Sequence, residues 1–318
     1  MPGDPGPGQV LIRMAYASIC GYDIMTLHGK AAYPNKGMIG HEGSAVVEAV
    51  GSGVHQLRSG DAVTIMPYVA CGKCTACRGG EPSYCVNSSG IDGLMTEFLI
   101  VDQDLLYKLP EGVSLQAGSL IEPLMMAMHA VNKARLAYGK SVVILGGGAM
   151  GQIILKLIRQ HPVGQIVVVE PDASKRDAAY RFGANVVLNP NAGNLLSELL
   201  MLSDGRGYDA VIEASGNRES AKMAVNLVAR GGSVVYFGLY GMDFNLDLNL
   251  FNLYWKDATV TAVCVPHNQF PAALRMAARL KLEEVITGLF PFDHAIEAFE
   301  AKGKGGHAKV MVEFPKKG

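Results

Sequence analysis

One thiol, one imidazole and two carboxyl groups, all side chains that a catalytic zinc can use, occur in the first part of the sequence at Cys20, His41, Glu42 and Glu122. A catalytic zinc binds three protein side chains and leaves a fourth position open for water or substrate. A thiolate, an imidazole and a carboxylate leave the ion nearly neutral, so it can bind an alcohol and lower the pKa of its hydroxyl. Taken alone, Cys20 could be a buried core thiol and Glu122 an acid at a helix start. The hypothesis of an open zinc site therefore requires that these residues lie together.

A second group of metal-binding side chains has the spacing C-x2-C-x2-C-x7-C, at Cys71, Cys74, Cys77 and Cys85. Thiolates so spaced in a loop can converge on one tetrahedral zinc at about 2.3 Å per bond. Four thiolates fill the coordination shell, so the cluster predicts a structural zinc whose binding contributes to folding. An iron–sulfur cluster and free thiols are the alternatives. Cys264 lies in an apolar run and is predicted to be a core residue.

A glycine-rich turn follows the apolar run at 142–145 and precedes an apolar helical stretch. Residues 146–151 read G-G-G-A-M-G, which is the pattern G-x-G-x-x-G between a strand and a helix. The glycines permit a tight turn and close approach of the backbone, and the helix N-terminus faces the pyrophosphate of a dinucleotide. This context predicts a dinucleotide-binding turn.

Glu170 ends the next predicted strand, nineteen positions after Gly151. A carboxylate there accepts hydrogen bonds from the ribose hydroxyls and repels a 2′-phosphate, which favours NAD over NADP. Lys175 and Arg176 follow closely and could instead hold a phosphate, or they could belong to a solvated first helical turn. NAD is the predicted cofactor, with NADP as the alternative.

Strand and helix signals divide the chain into two parts. Between Gln9 and about Lys108, short runs rich in β-branched residues alternate with turn residues, which predicts an irregular barrel or sandwich. From Ser141 onward strands alternate with helices, which predicts an α/β doubly wound parallel sheet. The tail from His294 reads as a helix and a strand that could close either domain. The predicted strands of the second part are 141–145, 165–170, 185–188, 208–213, 233–237 and 259–263, and its predicted helices are 149–160, 173–182, 193–203, 218–229 and 268–281, after a helical stretch at 116–137.

The composition excludes several classes of function. The 318 residues are 49% hydrophobic and 18% charged, which is typical of a globular protein of two domains. The net charge is −1 and the basic residues are scattered, so no nucleic acid or anionic membrane partner is expected. No apolar run reaches the ~18 residues of a membrane span, and the N-terminal residues lack the apolar core of a signal peptide. These features predict a cytoplasmic protein that acts on a small molecule.

In type, order and spacing, these motifs resemble those of the zinc-dependent medium-chain alcohol dehydrogenases. Within that family the chain is similar to the polyol group, which includes sorbitol dehydrogenase and threonine dehydrogenase. The resemblance covers essentially the whole chain. The matching segments are Cys20-Gly-Tyr-Asp23, Gly40-His-Glu-Gly43, the cysteine cluster, Glu122-Pro-Leu124, the turn at 146–151 and Ala214-Ser-Gly216.

The resemblance implies a GroES-like catalytic domain at 1–122, with a zinc lobe at about 68–88. A Rossmann NAD-binding domain at 123–266 would follow, and 267–318 would return to the catalytic domain. Homodimers or homotetramers formed through edge strands of the nucleotide-binding sheets are also implied. In the family the counterparts of Cys20 and His41 hold the zinc, and those of Glu42 and Glu122 join them or alternate with water. The positions that would contact the cofactor are Gly146, Gly148, Met150, Gly151, Glu170, Lys175, Ser215 and Gly238.

The sequence departs from the family pattern at two of the positions that follow Cys20. Ser or Thr is common where this chain has Tyr22, and many members have His where it has Met25. Both positions matter for the proton relay. Tyr22 could act through its hydroxyl, or its ring could pack and narrow the pocket. Thr26, His28 or solvent could take the proton instead.

The predicted function is hydride transfer between NAD and a secondary alcohol, which would be a polyol, a cyclitol or a hydroxy amino acid. One alternative is an NADP-dependent carbonyl reductase. Another is a zinc-stapled nucleotide-binding protein without catalysis, which the altered relay residues suggest. The dehydrogenase hypothesis predicts two zinc ions per chain, whereas the non-catalytic hypothesis predicts one.

Overall fold

The computed structural model of the protein describes residues 2–30, 39–91 and 93–316. The chain forms two compact units. Unit 1 comprises 1–125 and 265–318, and unit 2 comprises 126–264. No helix in the described residues is long and apolar enough to cross a bilayer.

Strands and helices within the described residues are numbered in chain order. The strands are β1 (Gln9–Ile19), β2 (Glu42–Val50), β3 (Ala62–Ile65), β4 (Tyr68–Val69), β5 (Ser89–Gly90), β6 (Phe98–Asp102), β7 (Leu106–Lys108), β8 (Val142–Leu145), β9 (Ile166–Val169), β10 (Val186–Leu188), β11 (Tyr208–Glu213), β12 (Val228–Tyr236), β13 (Thr259–Ala262), β14 (Ile286–Pro291) and β15 (Lys309–Glu313). The helices are α1 (Gly21–Leu27), α2 (Thr75–Arg78), α3 (Leu115–Gly118), α4 (Ile121–Lys133), α5 (Ala149–Ile158), α6 (Ala173–Arg181), α7 (Leu195–Leu202), α8 (Arg218–Leu227), α9 (Leu250–Lys256), α10 (Phe270–Leu280) and α11 (Ala295–Lys304).

Unit 1 is built around β1. Its main sheet has the order β14-β15-β1-β2-β3-β7, and β6 also pairs with β1. Both β2 and β15 run antiparallel to β1, with Ser18 opposite Glu42 and Ile19 opposite Val310. This register places the first residues of β2 and β15 beside the last residues of β1. The tail of the chain, whose domain the sequence left open, therefore completes the sheet of unit 1.

Unit 2 contains a six-stranded parallel sheet with the order β10-β9-β8-β11-β12-β13. All residues of β8 and β9 are buried, as expected for parallel strands covered on both faces. From β8 the chain winds outward through β9 to β10, and from β11 it winds the other way to β13. The order therefore reverses between β8 and β11, which confirms the predicted doubly wound sheet.

Several elements differ from the sequence-based expectation. The predicted helix at 116–137 is two helices, α3 and α4. They are separated at Ser119, whose buried hydroxyl donates to the carbonyl of Gln116 at 3.0 Å and so competes with continuation of the helix. Neither α9 nor β14 was predicted, since both lie in segments without clear periodicity.

The prediction that Cys264 is a core residue is wrong. Cys264 is exposed and lies beyond the end of β13 at Ala262. The apolar neighbours of this cysteine suggested burial. However, β13 is the edge strand of its sheet, and its side chains are at most half-buried.

Candidate active site

The ligand atoms of Cys20, His41 and Glu42 all lie within 4.8 Å of one another in unit 1. Cys20 follows the end of β1, and Glu42 is the first residue of β2. The antiparallel pairing of these two strands therefore brings the ligands together. His41 is 6% exposed and Glu42 is 1% exposed. A thiol, an imidazole and a carboxylate at this spacing can hold one zinc ion.

Asp23 holds the two ligand-bearing segments together, a role that the sequence reasoning did not assign to it. One carboxylate oxygen accepts from the backbone N–H of Cys20 at 2.8 Å. The other accepts from the N–H of Gly40 at 3.2 Å and lies 3.3 Å from Nδ1 of His41. Such a contact orients the imidazole of a metal ligand. The sequence feature that could have indicated this role of Asp23 is an acidic residue in the first turn of the helix that Cys20 caps.

The Asp23–His41 contact shifts the pKa values of both groups. Burial lowers the pKa of His41, but Asp23 and Cys20 raise it well above its ordinary value. Burial raises the pKa of Asp23, but His41 and two backbone N–H groups outweigh this and lower it. These contacts favour the protonated imidazole, so zinc binding at His41 would compete with a proton.

Lys309 forms a buried ion pair with Glu42, which the sequence reasoning also missed. Both residues are at most 2% exposed. Burial lowers the pKa of Lys309, but the charges of Glu42 and Cys20 raise it above its ordinary value, so the ammonium stays charged. Lys309 is the first residue of β15, which pairs with β1. A lysine opening an apolar strand was the available signal, because a buried lysine must be paired.

Glu122 lies in the first turn of α4 and is 6% exposed. Its carboxylate is outside the set of ligand atoms that lie within 4.8 Å of one another. Burial and the charge of Glu42 raise its pKa to about 7, although His41 and Lys309 act in the opposite direction. The structure thus brings Cys20, His41 and Glu42 together, with Glu122 as an electrostatic neighbour of His41 and Glu42.

Tyr22 lies beside Cys20 and His41, two of the candidate metal ligands. Its backbone N–H donates to Sγ of Cys20 at 3.5 Å, and its ring meets that of His41 edge-on with centroids 6.4 Å apart. The side chain is half-buried, as is Met25 on the same helix. This position allows either predicted role of Tyr22, contact with substrate or packing.

Ligand atoms of the four clustered cysteines also lie within 4.8 Å of one another. Sγ of Cys74 lies 3.5 Å from Sγ of Cys77 and 3.8 Å from Sγ of Cys85. A backbone hydrogen bond from Cys77 lowers the pKa of Cys74 to about 6, which favours a thiolate. Gly72 adopts a positive φ of 67° in this loop. The loop can therefore hold a tetrahedral metal ion.

The glycine-rich turn of unit 2 has the shape that a dinucleotide requires. Gly146 has a φ of 108°, and a Cβ on Gly151 would overlap its carbonyl oxygen. A Cβ on Gly148 would meet nothing within 4 Å, so the backbone there borders open space at the start of α5. Met150 is half-buried in the first turn of that helix. This open cradle at a helix N-terminus fits a pyrophosphate.

The Glu170 carboxylate is held against this turn. It is 6% exposed and accepts from the N–H of Gly147 at 2.8 Å and from the N–H of Asp172 at 3.0 Å. Arg176 directs its guanidinium to the backbone carbonyls of Glu170 and Pro171. These contacts place a carboxylate, rather than the Arg176 cation, beside the turn.

The remaining predicted cofactor contacts occupy different positions around the turn. Lys175 is half-buried in the first turn of α6, where its N–H donates to Asp172 at 3.1 Å. A Cβ on Gly146 would lie 2.8 Å from the N–H nitrogen of Ser215, so that residue packs against the turn. Gly238 follows β12, and its N–H donates to the Glu213 carbonyl at 2.9 Å. Ser215 and Gly238 therefore lie at the carboxyl edge of the sheet.

Comparison with known proteins identifies the family. Residues 6–111 match the alcohol dehydrogenase GroES-like domain, and residues 149–279 match the zinc-binding dehydrogenase family. The L-threonine 3-dehydrogenase of Pyrococcus abyssi is 31% identical over 320 residues, which cover 96% of this chain and 91% of that protein. The chain belongs to the zinc-dependent alcohol dehydrogenase family.

Two further members of this dehydrogenase family support the assignment. The D-xylulose reductase A of Aspergillus niger is 27% identical over 336 residues, covering 98% of this chain and 91% of the reductase. A protein from Sinorhizobium meliloti 1021, assigned as a zinc-binding dehydrogenase and solved with NADP bound, has a TM-score of 0.91 at 27% identity. That alignment covers 98% of this chain and 93% of the other.

Family membership confirms the predicted fold class, a Rossmann sheet inserted in a GroES-like unit. It also confirms the predicted enzyme class, a nicotinamide- and zinc-dependent alcohol or polyol dehydrogenase. The chain is therefore an oxidoreductase that acts on small-molecule alcohols or the corresponding carbonyl compounds.

The Glu42–Lys309 ion pair generates a stability prediction. Lys309→Met leaves a buried carboxylate without its cation, and we expect the free energy of unfolding to fall by about 3 kcal/mol. The matched control is Lys304→Met, which breaks the exposed pair with Glu300 and should cost less than about 0.5 kcal/mol. Denaturant unfolding of both variants measures the difference. Equal losses in the two variants would contradict the role of Lys309.

Proposed function

We propose that the protein oxidises a secondary alcohol with NAD, and catalyses the reverse reduction, at a zinc held by Cys20, His41 and Glu42. The observation that carries the proposal is the convergence of these three ligand types within 4.8 Å in a chain with a dinucleotide-binding turn. The likeness to a threonine dehydrogenase and a xylulose reductase supports a polyol, a cyclitol or a hydroxy amino acid as substrate.

The donor set fits zinc, because sulfur, nitrogen and carboxylate ligands are those that catalytic zinc sites use. Zinc bound there would polarise the alcohol oxygen, and the nicotinamide would accept hydride from the adjacent carbon. Asp23 orients His41 so that its other ring nitrogen can face the metal. Lys309 neutralises Glu42, which limits the negative charge that the site places on the metal.

Oxidation of the alcohol releases one proton in addition to the hydride, and the chain must provide a route for it. Glu122, with a pKa of about 7, can accept a proton at neutral pH. The Tyr22 hydroxyl is the second candidate, since the residue lies beside Cys20 and His41. We propose that Glu122 acts as the proton acceptor and that Tyr22 contacts substrate.

A second zinc is proposed at Cys71, Cys74, Cys77 and Cys85. Four sulfur atoms within 4.8 Å of one another leave no coordination position for substrate. This ion would have a structural role in the loop that bears α2. The proposed content is therefore two zinc ions per chain.

Turnover and zinc content test the proposal together. A panel of polyols, cyclitols and threonine is offered with NAD, and NADH absorbance is followed. We expect the wild type to turn over at least one of them and to contain two zinc ions. Cys20→Ala should retain one zinc and lose about a thousandfold in kcat/KM, because the Lewis acid is missing.

The control for Cys20→Ala is Cys264→Ala, which removes an exposed thiol and should change neither zinc content nor activity. One zinc in the wild type and no turnover would favour the non-catalytic hypothesis. Turnover only of carbonyl compounds with NADPH would favour the reductase hypothesis.

NAD is the proposed cofactor, because the Glu170 carboxylate lies against the turn while Arg176 bonds to backbone carbonyls. NADP is the alternative, and the NADP bound to the Sinorhizobium meliloti protein supports it.

Glu170→Ala should lower the ratio of kcat/KM for NAD to that for NADP by about tenfold, since charge repulsion of the 2′-phosphate is lost. Asp177→Ala, which removes an exposed acid from α6, should leave the ratio unchanged. Wild-type preference for NADP would overturn the assignment.

The protein is proposed to form homodimers or homotetramers through unit 2. The edge strand β13 ends the sheet, and the neighbouring α9 exposes Phe251, Tyr254 and Trp255 at 73%, 79% and 59%.

Tyr254→Asp should shift the molecular mass in light scattering toward the monomer, because it places a charge in an apolar contact. Tyr138→Asp changes another exposed tyrosine and should not. A monomeric wild type would refute the proposal.

The proposed location is the cytoplasm. None of the six cysteines is in a disulfide, and in a reducing compartment clustered thiols bind metal rather than form disulfides. A net charge of −1 supports a small-molecule substrate rather than a nucleic acid or membrane partner.

A further inference from the structure

Glu213 is a fully buried carboxylate at the carboxyl end of β11, with 0% exposure. It accepts from the N–H and hydroxyl of Ser215, from the N–H of Gly216 at 3.3 Å, and from the hydroxyl of Tyr240. All four of these donors are neutral groups. Hydrogen bonds rather than a cation therefore stabilise this charge among the described residues.

The Tyr240 phenol acts as a donor in this contact. Burial and the Glu213 carboxylate raise the pKa of Tyr240, so the phenol keeps its proton. The residue lies beyond β12, whereas Ser215 and Gly216 follow β11. The Glu213 carboxylate thus connects the loops that follow two neighbouring strands.

These loops also border the dinucleotide-binding turn. A Cβ on Gly146 would lie 2.8 Å from the backbone nitrogen of Ser215, and a Cβ on Gly238 would overlap the Glu213 carboxylate. The loops after β8, β11 and β12 are therefore packed together at the carboxyl edge of the sheet. Strand order reverses between β8 and β11, and dinucleotides bind in the crevice at such a point.

The two halves of a sheet with this strand order would receive different halves of a dinucleotide. The turn and Glu170 belong to the β8–β10 half, which would receive the adenosine. Glu213 ends the first strand of the β11–β13 half, which would receive the nicotinamide. The oxidised nicotinamide ring carries a positive charge that the reduced ring lacks. A fixed negative charge in this half stabilises the oxidised ring more than the reduced one.

We propose that Glu213, tethered by Tyr240, is a positioning residue that holds the nicotinamide-side loops and favours the oxidised form of the bound dinucleotide. The inference rests on the proposed use of a nicotinamide cofactor. It assigns a function to a carboxylate of unit 2 that is not among the proposed metal ligands.

Dissociation constants for NAD, NADH and ADP-ribose, measured by calorimetry on the zinc-loaded protein, test this inference. Glu213→Gln removes the charge and keeps the shape. We expect the ratio of the NAD to the NADH dissociation constant to rise about tenfold, while ADP-ribose binding stays within about twofold. Glu213→Asp keeps the charge and should restore the wild-type ratio. An unchanged ratio in Glu213→Gln overturns the inference and leaves the proposed function intact.

Tyr240→Phe removes the hydrogen bond from Tyr240 and leaves the negative charge of Glu213 in place. We expect this variant to raise the dissociation constants of NAD and NADH by the same factor of about five, because one charge-assisted hydrogen bond is lost. The dissociation constant of ADP-ribose should not change. Tyr236→Phe, which removes a bond to the Ala221 carbonyl instead, is the control and should alter none of the three.

Thermal unfolding and zinc content monitor the fold of each variant. If Glu213→Gln does not fold, Tyr240→Phe decides the question. An equal loss of affinity of Tyr240→Phe for NAD, NADH and ADP-ribose overturns the inference. A wild type that binds neither NAD nor NADH overturns the proposed cofactor and this inference with it.

Discussion

Compensation of buried charge at the end of β1 is the constraint on which unit 1 depends. Asp23, His41, Glu42, Glu122 and Lys309 are each at most 6% exposed. Uncompensated buried charges cost several kcal/mol, so these groups must be paired or change their protonation state. Both cationic groups have raised pKa values, and the pKa of the Glu122 carboxyl is raised to about 7. Neighbouring acidic groups raise the pKa values of His41 and Lys309, whereas burial is the main cause of the shift at Glu122.

The same constraint links the register of the sheet to the assembly of the candidate site. Glu42 and Lys309 meet because β2 and β15 both begin beside the end of β1. A shift of one residue in the β1–β2 register would turn Glu42 to the opposite face of the sheet. The buried ion pair would then be broken, so the pairing that assembles the site is also the pairing that satisfies the buried charges.

The parts of the site that the sequence predicted are those encoded in short segments. The cysteine cluster and the turn at 146–151 need fixed residue types at fixed spacing, so their patterns were visible. Lys309 was missed because its partner Glu42 lies 267 positions away, and only strand pairing brings them together. The sequence grouped Glu122 with Cys20, His41 and Glu42, but it could not show that the Glu122 carboxylate lies outside their close set of ligand atoms, since that depends on how α4 packs. For Cys264 the apolar neighbours misled, because the residue lies just beyond an edge strand whose own side chains are at most half-buried.

Two carboxylates that are almost equally buried have different surroundings. Glu42 is paired with the ammonium of Lys309, so its charge is largely cancelled before it can act on a neighbouring ligand. Glu213 is held by neutral donors, which lower the energy of the charge without cancelling its field. A neutralised carboxylate suits a metal site that must leave the ion able to polarise an alcohol. An uncancelled carboxylate suits a site whose ligand changes charge during the reaction, since its field then distinguishes the two redox states.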